Sequence, residues 1–167
     1  MSIIKAKITD LENIMKMYKS CIDGMINIGI DQWDNTYPDH KTISEDIKNS
    51  TYFIYKIKDE IIGGINIDRN QDPTYLNINW INKTRKFFVV HRLAIKQEYW
   101  GKGIGKKCME FAENLALKNN LVSVRLDTYS NNPQAMKFYQ DIGYNQLGHI
   151  YLKSGKNEYY CFEKIIK

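Results

Sequence analysis

The segment that most restricts this chain is a strand, a glycine-rich turn and a helix in immediate succession. The apolar run Phe87–Ile95 reads as a buried strand. It leads into Trp100-Gly101-Lys102-Gly103-Ile104-Gly105-Lys106-Lys107. Ile104, Cys108, Phe111, Ala112 and Leu115 then recur at the spacing of one helix face. Alternating glycines permit backbone conformations closed to other residues and let the main chain approach a ligand. The helix that follows offers N–H groups without intrahelical partners at the positive end of its dipole. Such a turn is a seat for phosphate, and Lys102, Lys106 and Lys107 add positive charge around it. The alternative is a tight strand-to-helix turn that holds no ligand. Two common phosphate patterns fail on the residues. The P-loop spacing G-x-x-x-x-G-K-[ST] meets Trp100 at its first position and Lys107 at its last. The dinucleotide spacing G-x-G-x-x-G starting at Gly101 ends on Lys106.

The rest of the chain reads as a mixed α/β order. Ile3, Ile4, Ala6 and Ile8 suggest a first strand. Thr9 and Glu12 have capping-box spacing before a helix that carries Leu11 to Ile26. Residues 29–40 are irregular, and Thr42 with Glu45 repeats the capping spacing for a short second helix. Two β-rich runs, 51–57 and 61–67, flank Lys58-Asp59-Glu60 as a hairpin. Residues 69–85 are polar and read as a long loop. After the glycine turn and its helix comes a strand over Leu121–Asp127. A helix follows from Asn132-Pro133 to Gly143, with Asn as cap and Pro in the first turn. Two last strands, about 144–152 and 158–165, flank Ser154-Gly155-Lys156-Asn157. The expected order is β-α-α-β-β-β-α-β-α-β-β around one central sheet.

Length and composition set the frame for that reading. A chain of 167 residues is about one domain by the usual prior, here residues 1–167, and buries roughly 70% of its surface on folding. No run approaches the ~18 apolar residues of a membrane span, and the N-terminus lacks a secretory leader pattern. Cys21, Cys108 and Cys161 lie far apart with no metal spacing, so they are expected as reduced thiols of a cytoplasmic protein with no metal site. The net charge of +5 suits an anionic ligand. Its scatter over the chain argues against nucleic acid as partner.

The turn resembles the Q/R-x-x-G-x-G/A signature of the GNAT-type N-acetyltransferases at Trp100 through Gly105, with Trp100 in place of the leading Gln or Arg. Asn132-Pro133-Gln134-Ala135-Met136-Lys137-Phe138-Tyr139-Gln140-Asp141-Ile142-Gly143-Tyr144 resembles that family's N-x-x-A-x-x-[FL]-Y-x-x-x-G-[FY] helix at each specified position. The combination of Trp33, Tyr37-Pro38, Trp80 and His91-Arg92-Leu93-Ala94 is similar to a subgroup of small bacterial acetyltransferases, mostly without assigned substrates. The resemblance implies a mixed α/β domain with a central, mostly antiparallel twisted sheet flanked by helices and splayed where acetyl-CoA binds. It implies that the amides of Gly101, Lys102, Gly103, Ile104, Gly105 and Lys106 hold the pyrophosphate of acetyl-CoA. It also implies that the backbone of Leu93, Ala94 and Ile95 pairs with the pantetheine arm, one N–H polarising the acetyl carbonyl. Asn132 would contact the arm, and Tyr139 would act at the sulfur.

The residues agree with that last role. A tyrosine with a pKa of about 10 can protonate or hydrogen-bond a leaving thiolate, whose own pKa is about 8.5. Packing alone is the alternative use of Tyr139. An attacking amine must be neutral, and His91 or Asp127 are the candidate bases; both have structural alternatives, and neither is chosen. Trp33, Tyr37 and Trp80 form a candidate aromatic wall for the acceptor, with Asp31 or Asp34 to hold a cation. The expected activity is direct transfer of the acetyl group of acetyl-CoA to a small-molecule or peptide amine through a ternary complex, by a monomer or homodimer. The alternative is a non-catalytic acyl-CoA-binding regulatory domain of the same fold.

Overall fold

The computed structural model describes residues 2–153 and 156–167. The expected hairpin turn at Ser154-Gly155 therefore lies outside the described residues. Seven strands form one mixed, mostly antiparallel sheet in the order β1-β2-β3-β4-β5-β7-β6. They are β1 (Ser2–Lys5), β2 (Tyr52–Ile57), β3 (Glu60–Asp68), β4 (Phe87–Ile95), β5 (Ser123–Tyr129), β6 (Asn145–Ile150) and β7 (Tyr159–Ile165). The helices are α1 (Leu11–Asn27), α2 (His40–Lys48), α3 (Ile104–Lys118) and α4 (Pro133–Asp141). The chain divides into two compact units. One runs up to Ile67 and takes in His91–Phe111; the other is Asp68–Val90 with Ala112–Lys167.

In the first unit β1 and β2 pair antiparallel from Ser2↔Lys56 to Lys5↔Phe53, and β2 turns directly into β3. The amphipathic α1 buries Ile14, Met17, Tyr18, Cys21, Ile22 and Met25. That stripe joins Ile43 and Ile47 of α2 and Tyr52, Ile54 and Ile61 of the strands in one apolar cluster. Both helix starts differ from the expected capping boxes. The first strand stops at Lys5, a 3-10 turn occupies Ile8–Asp10, and the Lys7 N–H donates to Asp10 at 2.8 Å. At α2 the cap is Asp39, whose carboxylate accepts the Thr42 N–H at 2.8 Å. Thr42 thus lies inside the helix it was expected to open, because Asp39, three residues earlier, caps the helix by accepting Thr42's own N–H.

In the second unit β4 and β5 pair in parallel at Phe87↔Ser123, Phe88↔Val124 and Val89↔Arg125. β5 pairs antiparallel with β7, and β7 with β6. The segment expected as a long polar loop is tied down. Asp72 caps a 3-10 turn over Pro73–Asn77. The fully buried Glu163 of β7 then accepts the N–H groups of Ile81 and Asn82 at 2.6 and 3.1 Å. The same carboxylate accepts from Ser123 and from the Arg125 Nε, at 2.8 and 2.9 Å. The Arg125 guanidinium lies over the rings of Trp80 and Phe87 at 4.3 and 3.9 Å. A buried carboxylate requires such saturation, since isolated charge is costly away from water.

Candidate active site

The glycine turn belongs to the first unit. Gly101 and Gly103 adopt φ of +73° and +75°, the left-handed region that β-carbon-bearing residues avoid. A Cβ at either would meet nothing within 4 Å, so the turn presents open space above its backbone. α3 starts at Ile104, and its first-turn N–H groups lie beyond the reach of any intrahelical acceptor. Lys102 Nζ rests 4.9 Å from the Tyr99 ring centre, and Lys106 lies 4.0 Å from Glu110, one helical turn on. An exposed, glycine-shaped backbone at a helix N-terminus with cations around it fits a phosphate group.

Trp100 folds back from the turn. Its indole N–H donates to the Ile95 carbonyl at 2.8 Å. Its ring packs where a Cβ on Gly24 of α1 would come within 2.8 Å of Cη2. The Ile95 N–H bonds the Cys21 thiol, which burial pushes up to about 11 against that hydrogen bond. Both backbone groups of Ile95 thus have side-chain partners inside this unit. Ala94 is buried, and Leu93 is half-buried.

Sequence patterns missed what precedes them. Arg92, within β4, has φ of +53°. Among the described residues, the other β-carbon-bearing ones with positive φ, namely Ser50, Lys58 and Asn120, lie outside the strands and helices. The Arg92 carbonyl accepts the Tyr18 hydroxyl at 2.7 Å, and Tyr18 in turn accepts the Tyr52 hydroxyl at 2.9 Å. The Arg92 Nε and Nη2 both donate to one oxygen of Asp46, at 2.9 and 2.6 Å, and Nη1 donates to Tyr37 at 3.2 Å. The available signal was a polar pair, His91-Arg92, in the middle of an apolar strand. Its partners are 46 and 74 residues away in sequence, beyond any local pattern.

Of the substrate-side residues in this unit, Trp33 meets Tyr18 edge-on with ring centres 5.7 Å apart. Tyr37 holds Arg92. A cavity of about 270 Å³ opens beside them, lined by Met15, Tyr18 and Ile22 and by the polar Glu12, Asp34 and His40.

The second unit carries the other candidates. Asn132 caps α4, its side-chain oxygen accepting the Ala135 N–H at 3.0 Å. Tyr139 is buried, with Phe138, Phe162 and Tyr144 around its ring at 5.0, 5.9 and 6.1 Å. Asp127 is half-buried and accepts the Tyr75 hydroxyl at 2.6 Å. Burial, and then the Asp127 charge, hold the Tyr75 hydroxyl well above its ordinary pKa. Trp80 is buried, its indole N–H on the Tyr75 carbonyl at 2.8 Å. His91, by contrast, belongs to the first unit, where it is half-buried on β4. Among the described residues no group of three His, Cys, Asp or Glu could hold a metal ion, and no helix is long and apolar enough to cross a membrane.

A strand, an open glycine turn and a helix within a mixed, mostly antiparallel sheet of this order are the fold of the GNAT acetyltransferases. The profile of the Acetyltransferase (GNAT) family matches residues 14–144, and the chain belongs to that family. It is an acetyl-CoA-dependent acyltransferase, with acetyl-CoA as donor. YesJ of Bacillus subtilis (strain 168), an uncharacterised N-acetyltransferase, is 23% identical over 160 residues, 94% of this chain and 86% of that protein. A GNAT-family acetyltransferase from Streptococcus agalactiae 2603 has the same fold, with a TM-score of 0.86 at 20% identity over 99% of this chain and 95% of that one. PaiA N-acetyltransferase from Thermoplasma acidophilum, solved in complex with coenzyme A, gives a TM-score of 0.71 at 20% identity over 98% of both chains.

Proposed function

We propose that residues 1–167 act as one domain that moves an acetyl group directly to a primary amine, with donor and acceptor bound together. The observation that carries the reading is the open, left-handed glycine turn at the start of α3. The amides of residues 101–106 would seat the pyrophosphate, with Lys102 and Lys106 adding charge. Asn132 would meet the pantetheine arm, and the backbone of Leu93 and Ala94 its amides and acetyl carbonyl, with Ile95 behind them held by Trp100 and Cys21. The Leu93 N–H is the donor we assign to that carbonyl, because both Ile95 groups already have partners.

Acetyl-CoA supplies the acetyl group as a thioester. The acceptor must arrive as the neutral amine, so His91 or Asp127 takes its proton, directly or through water. As the N–C bond forms and the C–S bond breaks, the Tyr139 hydroxyl delivers a proton to the departing sulfur, and the proton shed by the new amide nitrogen restores that hydroxyl, directly or through water. Glu12 and Asp34 at the 270 Å³ cavity favour a cationic small molecule or peptide N-terminus as the resting form of the acceptor.

The first test is calorimetric titration of wild type and Gly103→Glu with acetyl-CoA, with ATP and NAD as controls. Micromolar acetyl-CoA binding that Gly103→Glu abolishes is the expected outcome, because glutamate puts a side chain and a negative charge at the phosphate seat. A folded wild type that ignored acetyl-CoA would overturn the reading. In a following amine screen, Tyr139→Phe should lower kcat by about 10²-fold or more, the usual worth of a positioned acid, and leave acetyl-CoA affinity nearly unchanged. Unaltered kcat would remove Tyr139 from the chemistry.

A further inference from the structure

Arg92 is a left-handed residue inside a strand, a conformation that a side chain with a Cβ disfavours. Such residues persist only where their surroundings over-determine them. Here the surroundings do so from both ends of the residue. Asp46 of α2 and Tyr37 hold its guanidinium. Tyr18 of α1, itself held by Tyr52 of β2, holds its carbonyl. The carbonyl bond has a consequence one residue on. The peptide between Arg92 and Leu93 is planar and trans, so its C=O and N–H point in opposite directions. A hydroxyl that fixes the Arg92 C=O therefore also fixes the direction of the Leu93 N–H.

We infer that Tyr18 and Asp46 are positioning residues for acetyl transfer, aiming the Leu93 N–H at the donor's acetyl carbonyl through the left-handed Arg92. The inference rests on the donor and the Leu93 role proposed above. Neither Tyr18 nor Asp46 touches the reacting atoms in this scheme. Both act by holding a peptide plane that relaxes toward ordinary strand geometry when either anchor is lost. Pre-set donors of this kind matter because they need no reorientation as charge develops on oxygen.

The test reads the carbonyl itself and needs no acceptor. Acetyl-CoA labelled with ¹³C at the acetyl carbonyl is bound to wild type, Asp46→Ala and Tyr18→Phe, and its resonance is compared with that of the free compound. A hydrogen bond to the carbonyl moves the wild-type signal downfield. Each variant should lose at least half of that displacement while its calorimetric Kd for acetyl-CoA stays within roughly threefold of wild type. Asp46→Ala leaves the Arg92 cation without its carboxylate and can unfold. Tyr18→Phe removes a single oxygen, and its fold is checked by circular dichroism. The wild-type displacement retained in folded Tyr18→Phe would overturn the inference. So would a wild-type carbonyl that binds undisplaced, or a displacement lost only in step with binding. Absence of acetyl-CoA binding by wild type would instead strike the donor reading, and this inference with it.

Discussion

A Cβ on Gly64 would lie 2.1 Å from the Tyr52 hydroxyl oxygen and 3.0 Å from Met17 Cε. That hydroxyl donates to Tyr18 at 2.9 Å, so it has little freedom to retreat. Gly64→Ala should destabilise the protein by about 1–3 kcal/mol, the usual cost of overpacking a filled core. Urea unfolding midpoints measure it. Tyr52→Phe in the same chain removes the oxygen and should recover part of the loss; equal loss in the double variant would place the strain elsewhere. The glycine pair at 63–64 was visible only as part of a β-rich run. The requirement at Gly64 comes from a tyrosine on the neighbouring strand and a methionine on α1, and that at Gly63 from Ile95 of β4, none of which one sequence window contains. The glycines at 101 and 103 are the opposite case. Their need is a local positive φ, and alternating glycine between a strand and a helix shows it directly.

At the scale of elements, the same division between local and distant causes separates what was legible. Helix and strand existence follows from periodicity, and all seven strands and four helices stand close to the expected segments. Helix starts were less legible because a capping oxygen three residues earlier is available in more than one register, and Asp39 outcompetes Thr42 for that role. The segment 69–85 looked like a long loop because its anchor lies in the last strand. Glu163 gathers two backbone N–H groups of that segment, the Ser123 hydroxyl and the Arg125 guanidinium. Glu163→Ala should cost roughly 3–5 kcal/mol, because it strands a buried guanidinium and leaves two N–H groups without their acceptor. Denaturant unfolding would record it. Proteolysis should also move to residues 69–86 in the variant, and an unchanged cleavage pattern would mean that other contacts hold the segment. The site follows the same rule. The turn before α3 and the α4 motif are contiguous and were readable. The hold on Arg92 is assembled from Tyr18, Tyr37 and Asp46, and no spacing along the chain announces it.

Over the whole molecule, burial of weak acids sets a limit on the alkaline side. The three thiols are buried. Desolvation raises Cys21 to about 11 and Cys108 to about 12, and it raises Cys161 to about 12 with help from the Asp127 charge. Burial also raises the hydroxyls of Tyr18, Tyr52, Tyr75 and Tyr144. In each case the folded state holds its proton more tightly than the unfolded chain, where a thiol titrates near 9 and a tyrosine near 10. The stability these groups contribute is therefore complete below pH 9 and is lost as pH climbs through the folded values. Each group that ionises only on unfolding costs about 1.4 kcal/mol per pH unit. The thiols alone thus remove on the order of 3 kcal/mol between pH 9 and 10, and the tyrosines steepen the fall above 10. Urea midpoints at pH 7, 9, 10 and 10.5 should stay level to pH 9 and then drop sharply. Tyrosinate absorbance from the buried rings should appear together with unfolding. A midpoint that held constant to pH 10.5 would mean that these interiors admit water enough to ionise in place. The tight packing around Tyr18 and Tyr52, on which the position of Leu93 depends, would then be in doubt as well.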